Sequence, residues 1–191
     1  METKNKRAGF TLAEILIVVA IIAVLVAIAI PVFNKKLEQS REAYDIYTMR
    51  QAASAAIDFY YSGVHDKASA QAAGFNWWGT DGEPNNNAYG AYDPGTGKFY
   101  DDKSKVKAYG KGTKVDGGTT FTWGESRQAY ASNLDYRDAV VMVSIYPYQS
   151  KPYADVYWKN NTGTYNNENN HYVGGDQGAS NPKYSIRIYL N

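Results

Sequence analysis

Phe10-Thr11-Leu12-Ala13-Glu14-Ile15-Leu16-Ile17-Val18-Val19 opens a run that continues to Phe33 without a lysine or arginine, with Glu14 as its single acid. As a helix those 24 residues reach about 36 Å, enough to cross a hydrocarbon core about 30 Å thick. A lone carboxylate near the start of such a segment costs roughly 2.5 kcal/mol or more toward the middle of a bilayer. It therefore calls for a partner, and the expected partner is another copy of the same chain. Lys4, Lys6 and Arg7 precede the run and would be held on the cytoplasmic side by the positive-inside rule.

Two plainer readings compete. A secretory signal peptide has an apolar region of about 7–15 residues closed by a small-x-small cleavage site. This run is longer and ends in Ile30-Pro31-Val32-Phe33-Asn34-Lys35-Lys36. A generic single-span anchor explains the length, but neither Glu14 nor the Gly9-Phe10 junction.

Lys6-Arg7-Ala8-Gly9-Phe10-Thr11-Leu12-Ala13-Glu14, followed by the apolar run and Pro31, resembles the class III signal of type IV pilins and type II secretion pseudopilins. The resemblance covers about residues 4–40. It implies cleavage between Gly9 and Phe10 by a prepilin peptidase and N-methylation of Phe10. Cleavage would create an α-amino group of pKa about 7.7–8.0. That cation and the Glu14 carboxylate are both poorly solvated in apolar surroundings, so the Glu14 of one subunit and the Phe10 amine of its neighbour would relieve each other and set the axial register. Leu12, Ile15, Leu16, Val19 and Ile22 are the residues expected to pack between subunits.

Thr11 to Ser62 holds no glycine and one proline, Pro31, which removes the bond to the Ala27 carbonyl and is expected to kink the helix. In related filaments the stretch before this proline can lose helicity, often at a glycine; here it is Ala, Val, Ile and Leu. Beyond Lys36 two stripes are legible: Ile46, Met49, Ala53, Ile57 and Tyr60 for the head, and Phe33, Leu37, Tyr44 and Tyr47 for neighbouring subunits. The alternative is one broad core face with scattered surface aromatics. Gly63 is the stop signal.

The expected organisation is a leader at 1–9, a membrane and polymerisation helix at 10–34, its amphipathic continuation at 35–62, an irregular connection at 63–118 and a sheet region at 119–191. Turn formers crowd the connection, with a short strand or hairpin expected around Lys98–Tyr109. Strand patterns follow at Thr119–Trp123, Ala139–Tyr146, Ala154–Trp158 and Tyr184–Leu190. The fold class is α+β: a long N-terminal helix on an antiparallel sheet of about four strands, a layout resembling the pilin fold.

The chain contains no cysteine, so no disulfide staples the head. Type IVa pilins often have one near the C-terminus; the lack fits a Gram-positive-type pilin at least as well. Charge is nearly balanced, and no specific nucleic-acid partner is expected. Of 18 tyrosines, 14 lie from Tyr89 onward, which suggests packing surfaces that are wet at one end. Asp135 and Asp138, with Asp176 or the Asp93/Asp101/Asp102 group, are candidate calcium ligands; read as solvated turn acids, they leave the chain without a metal or other cofactor. His65 and His171 lie in no catalytic motif, and an enzyme is not expected. Gly95-Thr96-Gly97-Lys98 departs from a phosphate loop at Tyr92 and Phe99. Asn160-Asn161-Thr162 is a glycosylation triplet. Trp77-Trp78 through Asn86 resembles part of the sugar-binding loop of C-type lectins, without that fold's cysteines.

The expected function is a structural subunit of a type IV pilus, serving adhesion, twitching motility, aggregation or DNA uptake. The alternatives are a type II secretion pseudopilin, and a minor pilin that binds through Trp77–Asn87. Expected partners are further copies of the chain, the prepilin peptidase, the assembly platform and minor pilins. The expected location is a single-pass cytoplasmic-membrane precursor, then an extracellular filament.

Overall fold

The computed structural model describes residues 9–115, 118, 120–123, 127–161, 172–174 and 182–190. Helix α1 runs from Leu12 to Tyr61. Thr11 caps it in a reciprocal box: its backbone N–H donates to Glu14 Oε2 (2.7 Å), and its hydroxyl accepts from the Glu14 backbone (3.3 Å). The helix passes through Pro31 without a break and stops at Ser62 and Gly63, whose φ of 104° is in the left-handed region that glycine enters without a Cβ clash. A short helix, α2 (Lys67–Ala72), follows, capped by Asp66.

The strands are β1 (Asn76–Trp78), β2 (Asn87–Asp93), β3 (Lys98–Tyr100), β4 (Phe121–Trp123), β5 (Arg127–Tyr130), β6 (Ala139–Tyr146), β7 (Tyr153–Asn160) and β8 (Ser185–Tyr189). Six form one antiparallel sheet in the order β1-β2-β6-β7-β8, with β3 also paired to β2. Gly90, Val143, Val156 and Ile186 lie side by side across it. The remaining two, β4 and β5, make a separate ribbon.

Helix α1 lies on one face of this sheet. Val141, Val143, Ile145, Ala154, Val156, Trp158 and Ile186 meet Met49, Ala52, Ala53 and Ala56 in the main core. The three alanines let the helix axis approach closely. Fully buried valine and isoleucine side chains contribute roughly 1.5–3 kcal/mol each. Strand β6 is buried on both faces. Val140 and Met142 point away from α1 into a second cluster with Ala91, Val106 and Tyr157.

The sheet has six strands where the sequence suggests about four. Strands β1 and β2 lie in 63–118, where an irregular connection is expected, β3 falls within the short strand or hairpin expected around Lys98–Tyr109, and the strand expected at Thr119–Trp123 corresponds to β4 (Phe121–Trp123) of the ribbon instead of the main sheet. The sequence Asn-Ala-Tyr-Gly-Ala-Tyr-Asp of β2 carries no valine or isoleucine, because Phe75 and Phe99 occupy the space over it. A Cβ on Gly90 would come 3.1 Å from the Phe75 ring.

Candidate functional site

From Leu12 to Phe33 every side chain of α1 is exposed. Among the described residues this is a helix long and apolar enough to cross a membrane. The candidate packing residues Leu12, Ile15, Leu16, Val19 and Ile22 are all on open surface, with Leu12 83% exposed. Gly9 and Phe10 are exposed and non-helical just ahead of the cap, so the bond between them is accessible. Glu14 is held by its own chain: Oε2 accepts from both the N–H and the hydroxyl of Thr11 (2.7 Å each). Packing in that segment must come from outside the subunit, from lipid or from other helices.

The head begins at Glu38, the first buried residue of α1. The core stripe of the helix is Glu38, Glu42, Asp45, Met49, Ala52 and Ala56, spaced 4, 3, 4, 3 and 4. Its lower half is thus made of acids. Thr113 gives its N–H to Glu38 Oε1 and its hydroxyl to Glu38 Oε2 (2.7 Å). Asp45 accepts from the N–H groups of Lys111 (2.8 Å) and Gly112 (2.7 Å) and from the Tyr130 hydroxyl (3.0 Å). Tyr130 stacks on Tyr136 at 4.2 Å, closing the back of this site. The carboxylates therefore tie the connection at 111–113 to the helix across more than 60 residues of sequence, in a chain with no disulfide. Burial outweighs the donors around Asp45 and pushes its pKa up to about 6. Sequence reading began the core stripe at Ile46, because acids do not score as core. The signal that would have found them is that Glu38, Glu42 and Asp45 extend the Met49–Ala53 stripe backward in register.

The two predicted stripes separate. Met49 and Ala53 are buried, and Ile46, Ile57 and Tyr60 pack half-buried on the core. Phe33, Leu37, Tyr44 and Tyr47 remain exposed, with Tyr47 at 58%.

In the Trp77–Asn87 segment, Trp77 is buried and Trp78 is 58% exposed. The polar groups of this loop largely brace the loop itself. Asp81 accepts from Tyr148 Oη (2.8 Å) and the Lys67 N–H (3.2 Å), Asn86 donates to the Thr80 carbonyl, and Gln149 donates to the Pro84 carbonyl (2.7 Å). Asp135 is engaged by Arg137 through both oxygens (2.9 and 2.6 Å). Asp138 sits exposed on the turn before β6, and its carbonyl accepts from Asn161. Asp93 caps the turn at Gly95–Thr96, Asp101 pairs with Lys105, and Asp102 caps a short 3-10 turn. Among the described residues no three metal-capable side chains converge. Asp176, His171 and Thr162 lie outside the described residues. His65 is exposed, its ring 4.5 Å from that of Tyr60, and Gly95–Gly97 lie in the turn between β2 and β3, with Lys98 opening β3.

No curated protein and no solved structure matches the chain. The family description that matches is the prokaryotic N-terminal methylation motif, over residues 4–30. That stretch contains Gly9, Phe10 and Glu14 and most of the bare helix described above. The chain carries, at its N-terminal end, the class III signal of type IV pilins and pseudopilins.

Proposed function

We propose that this chain is the structural subunit of a type IV pilus. A single observation carries the reading. A methylation motif leads directly into an apolar helix that the subunit itself leaves uncovered from Leu12 to Phe33, with a folded head mounted on its far half. The motif and the helix support a membrane-anchored precursor, stored in the bilayer with the head outside. Prepilin peptidase cuts between Gly9 and Phe10, and the new terminus is methylated. Copies then leave the lipid by exchanging it for one another's helices, with Leu12, Ile15, Leu16, Val19 and Ile22 buried in the filament. Pro31, which removes the bond to the Ala27 carbonyl, bends the helix below the heads. The role is structural, without catalysis, and the force for assembly comes from the platform's motor.

Electron microscopy of sheared cell-surface material, with N-terminal sequencing of the fibre, tests this. The expected result is an abundant filament whose subunit begins at methylated Phe10. Fibres formed only when secretion components are overproduced would indicate a pseudopilin instead. Subunits that retain residues 1–9 in cells with an active peptidase would overturn the proposal.

A further inference from the structure

Cations gather where the head meets the bare helix. Glu38 lies five residues past Phe33, so the head begins about 7.5 Å beyond the apolar run. The polar layer of a bilayer is about 5–8 Å thick on each side. Lys35 and Lys36 are exposed within that interval. Arg41 stands one turn higher but reaches back toward the helix N-terminus, as helical side chains do, and places Nη1 3.2 Å from Glu38 Oε2. The connection pinned to Glu38 by Thr113 continues into Lys114 and Val115, both exposed. Arg137, exposed, follows Tyr136, whose N–H donates to the Gly112 carbonyl (2.9 Å), and so stands beside this same connection.

The acids at this level are already used. Glu38 and Glu42 are buried, and Asp135 is paired with Arg137. The described rim therefore presents Lys35, Lys36, Arg41, Lys114 and Arg137 against Glu38, Glu42 and Asp135, a surplus of positive charge at the base of the head, with Lys35, Lys36 and Lys114 as its exposed lysines. Val115, 42% exposed, and Leu37 on the helix are apolar residues among them.

We infer that the base of the head is a seat for anionic phospholipid headgroups, which hold the subunit upright on the outer leaflet before assembly. The inference rests on the membrane-stored state proposed above. It also accounts for the second basic flank. Lys35-Lys36 on the outer side works against the positive-inside arrangement set by Lys4, Lys6 and Arg7, and anionic headgroups are the partner that makes it favourable. Each cation near such a surface favours the seated state about fivefold. Val115 then dips into the layer, and extraction into a filament breaks these contacts first.

The absence of cysteine permits a clean test. The full chain carrying Val115→Cys is spin-labelled and reconstituted into vesicles of phosphatidylcholine alone, or with phosphatidylglycerol. Collision with a water-soluble nickel chelate and with oxygen is then measured. A label at Ile21→Cys serves as the reference for spanning. The expected result is a fall in nickel collisions at position 115 of about fivefold or more with phosphatidylglycerol, reversed by high salt and by Lys35→Gln/Lys36→Gln/Arg137→Gln. The same accessibility in both lipids overturns the inference, as does a fall that the triple variant retains. An Ile21 label that stays open to nickel shows instead that the spanning state itself is wrong, and the seat falls with it.

Discussion

Glu14 is held by Thr11 within its own chain, and the proposed filament would offer it a second, charged partner. In the subunit its carboxylate takes both bonds from Thr11, which closes the helix cap with two neutral donors. A neighbour's terminal amine would supply a positive charge. Glu14→Ala is therefore expected to fold and be processed normally yet give few or no filaments, read by counting pili and by immunoblot of the processed subunit. Abundant normal filaments would contradict the pairing. Asp45 permits a stability test. Asp45→Ala leaves the N–H groups of Lys111 and Gly112 and the Tyr130 hydroxyl without their acceptor, and a loss on the order of 2–4 kcal/mol is expected in denaturant melts of the full chain in detergent. Its pKa is pushed up to about 6 from an ordinary 3.8, so the folded state holds the proton more tightly than the unfolded state. This group's contribution is fully present below about pH 4 and is lost as pH rises through 6. Asp45→Asn should flatten the difference in stability between pH 5 and pH 7; an unchanged difference would place the pH dependence elsewhere.

At the scale of elements, α1 is one helix with two regimes. From Leu12 to Phe33 every side chain is exposed, and from Glu38 onward one side is core. The seam above the acids is built from Ala52, Ala53 and Ala56 against β6, β7 and β8, and close approach depends on their size. Ala56 is fully buried, so Ala56→Leu is expected to overpack the seam and cost about 1–3 kcal/mol. The same change at exposed Ser54 should cost little. Equal melting temperatures for the two variants would show that the helix can shift to make room. The strands divide similarly. Strands β6, β7 and β8 are legible from their β-branched and aromatic residues, whereas β1 is only the three residues Asn76-Trp77-Trp78 and β2 is built of Asn, Ala, Gly, Tyr and Asp. Their place in the sheet comes from the Phe75, Phe99 and Phe59 cluster packed over them, a tertiary circumstance with no local pattern.

For the whole molecule, the head is held by core packing, buried carboxylates and tyrosines. Tyr109, Tyr130, Tyr136 and Tyr157 all have hydroxyls whose ionisation burial strongly disfavours. The unfolded chain ionises its tyrosines near pH 10, while the folded chain keeps these four protonated. Stability is therefore expected to fall steeply above about pH 10. Unfolding by circular dichroism should coincide with the rise of tyrosinate absorbance at these sites. Tyrosinate appearing well before unfolding would show that the rings are open to solvent.

The methylation motif, the apolar segment, the long helix and the strands β6, β7 and β8 are written in the sequence, because each rests on local chemistry: a Gly-Phe pair behind basic residues, an uninterrupted apolar run, and β-branched alternation. Which acids are interior, how the connection at 111–113 is fastened, which strands form the separate ribbon, and where the cations gather at the base of the head were decided only in the folded structure. A carboxylate reads as surface until backbone N–H groups from distant residues close over it, and those donors are brought there by the packing of the entire head.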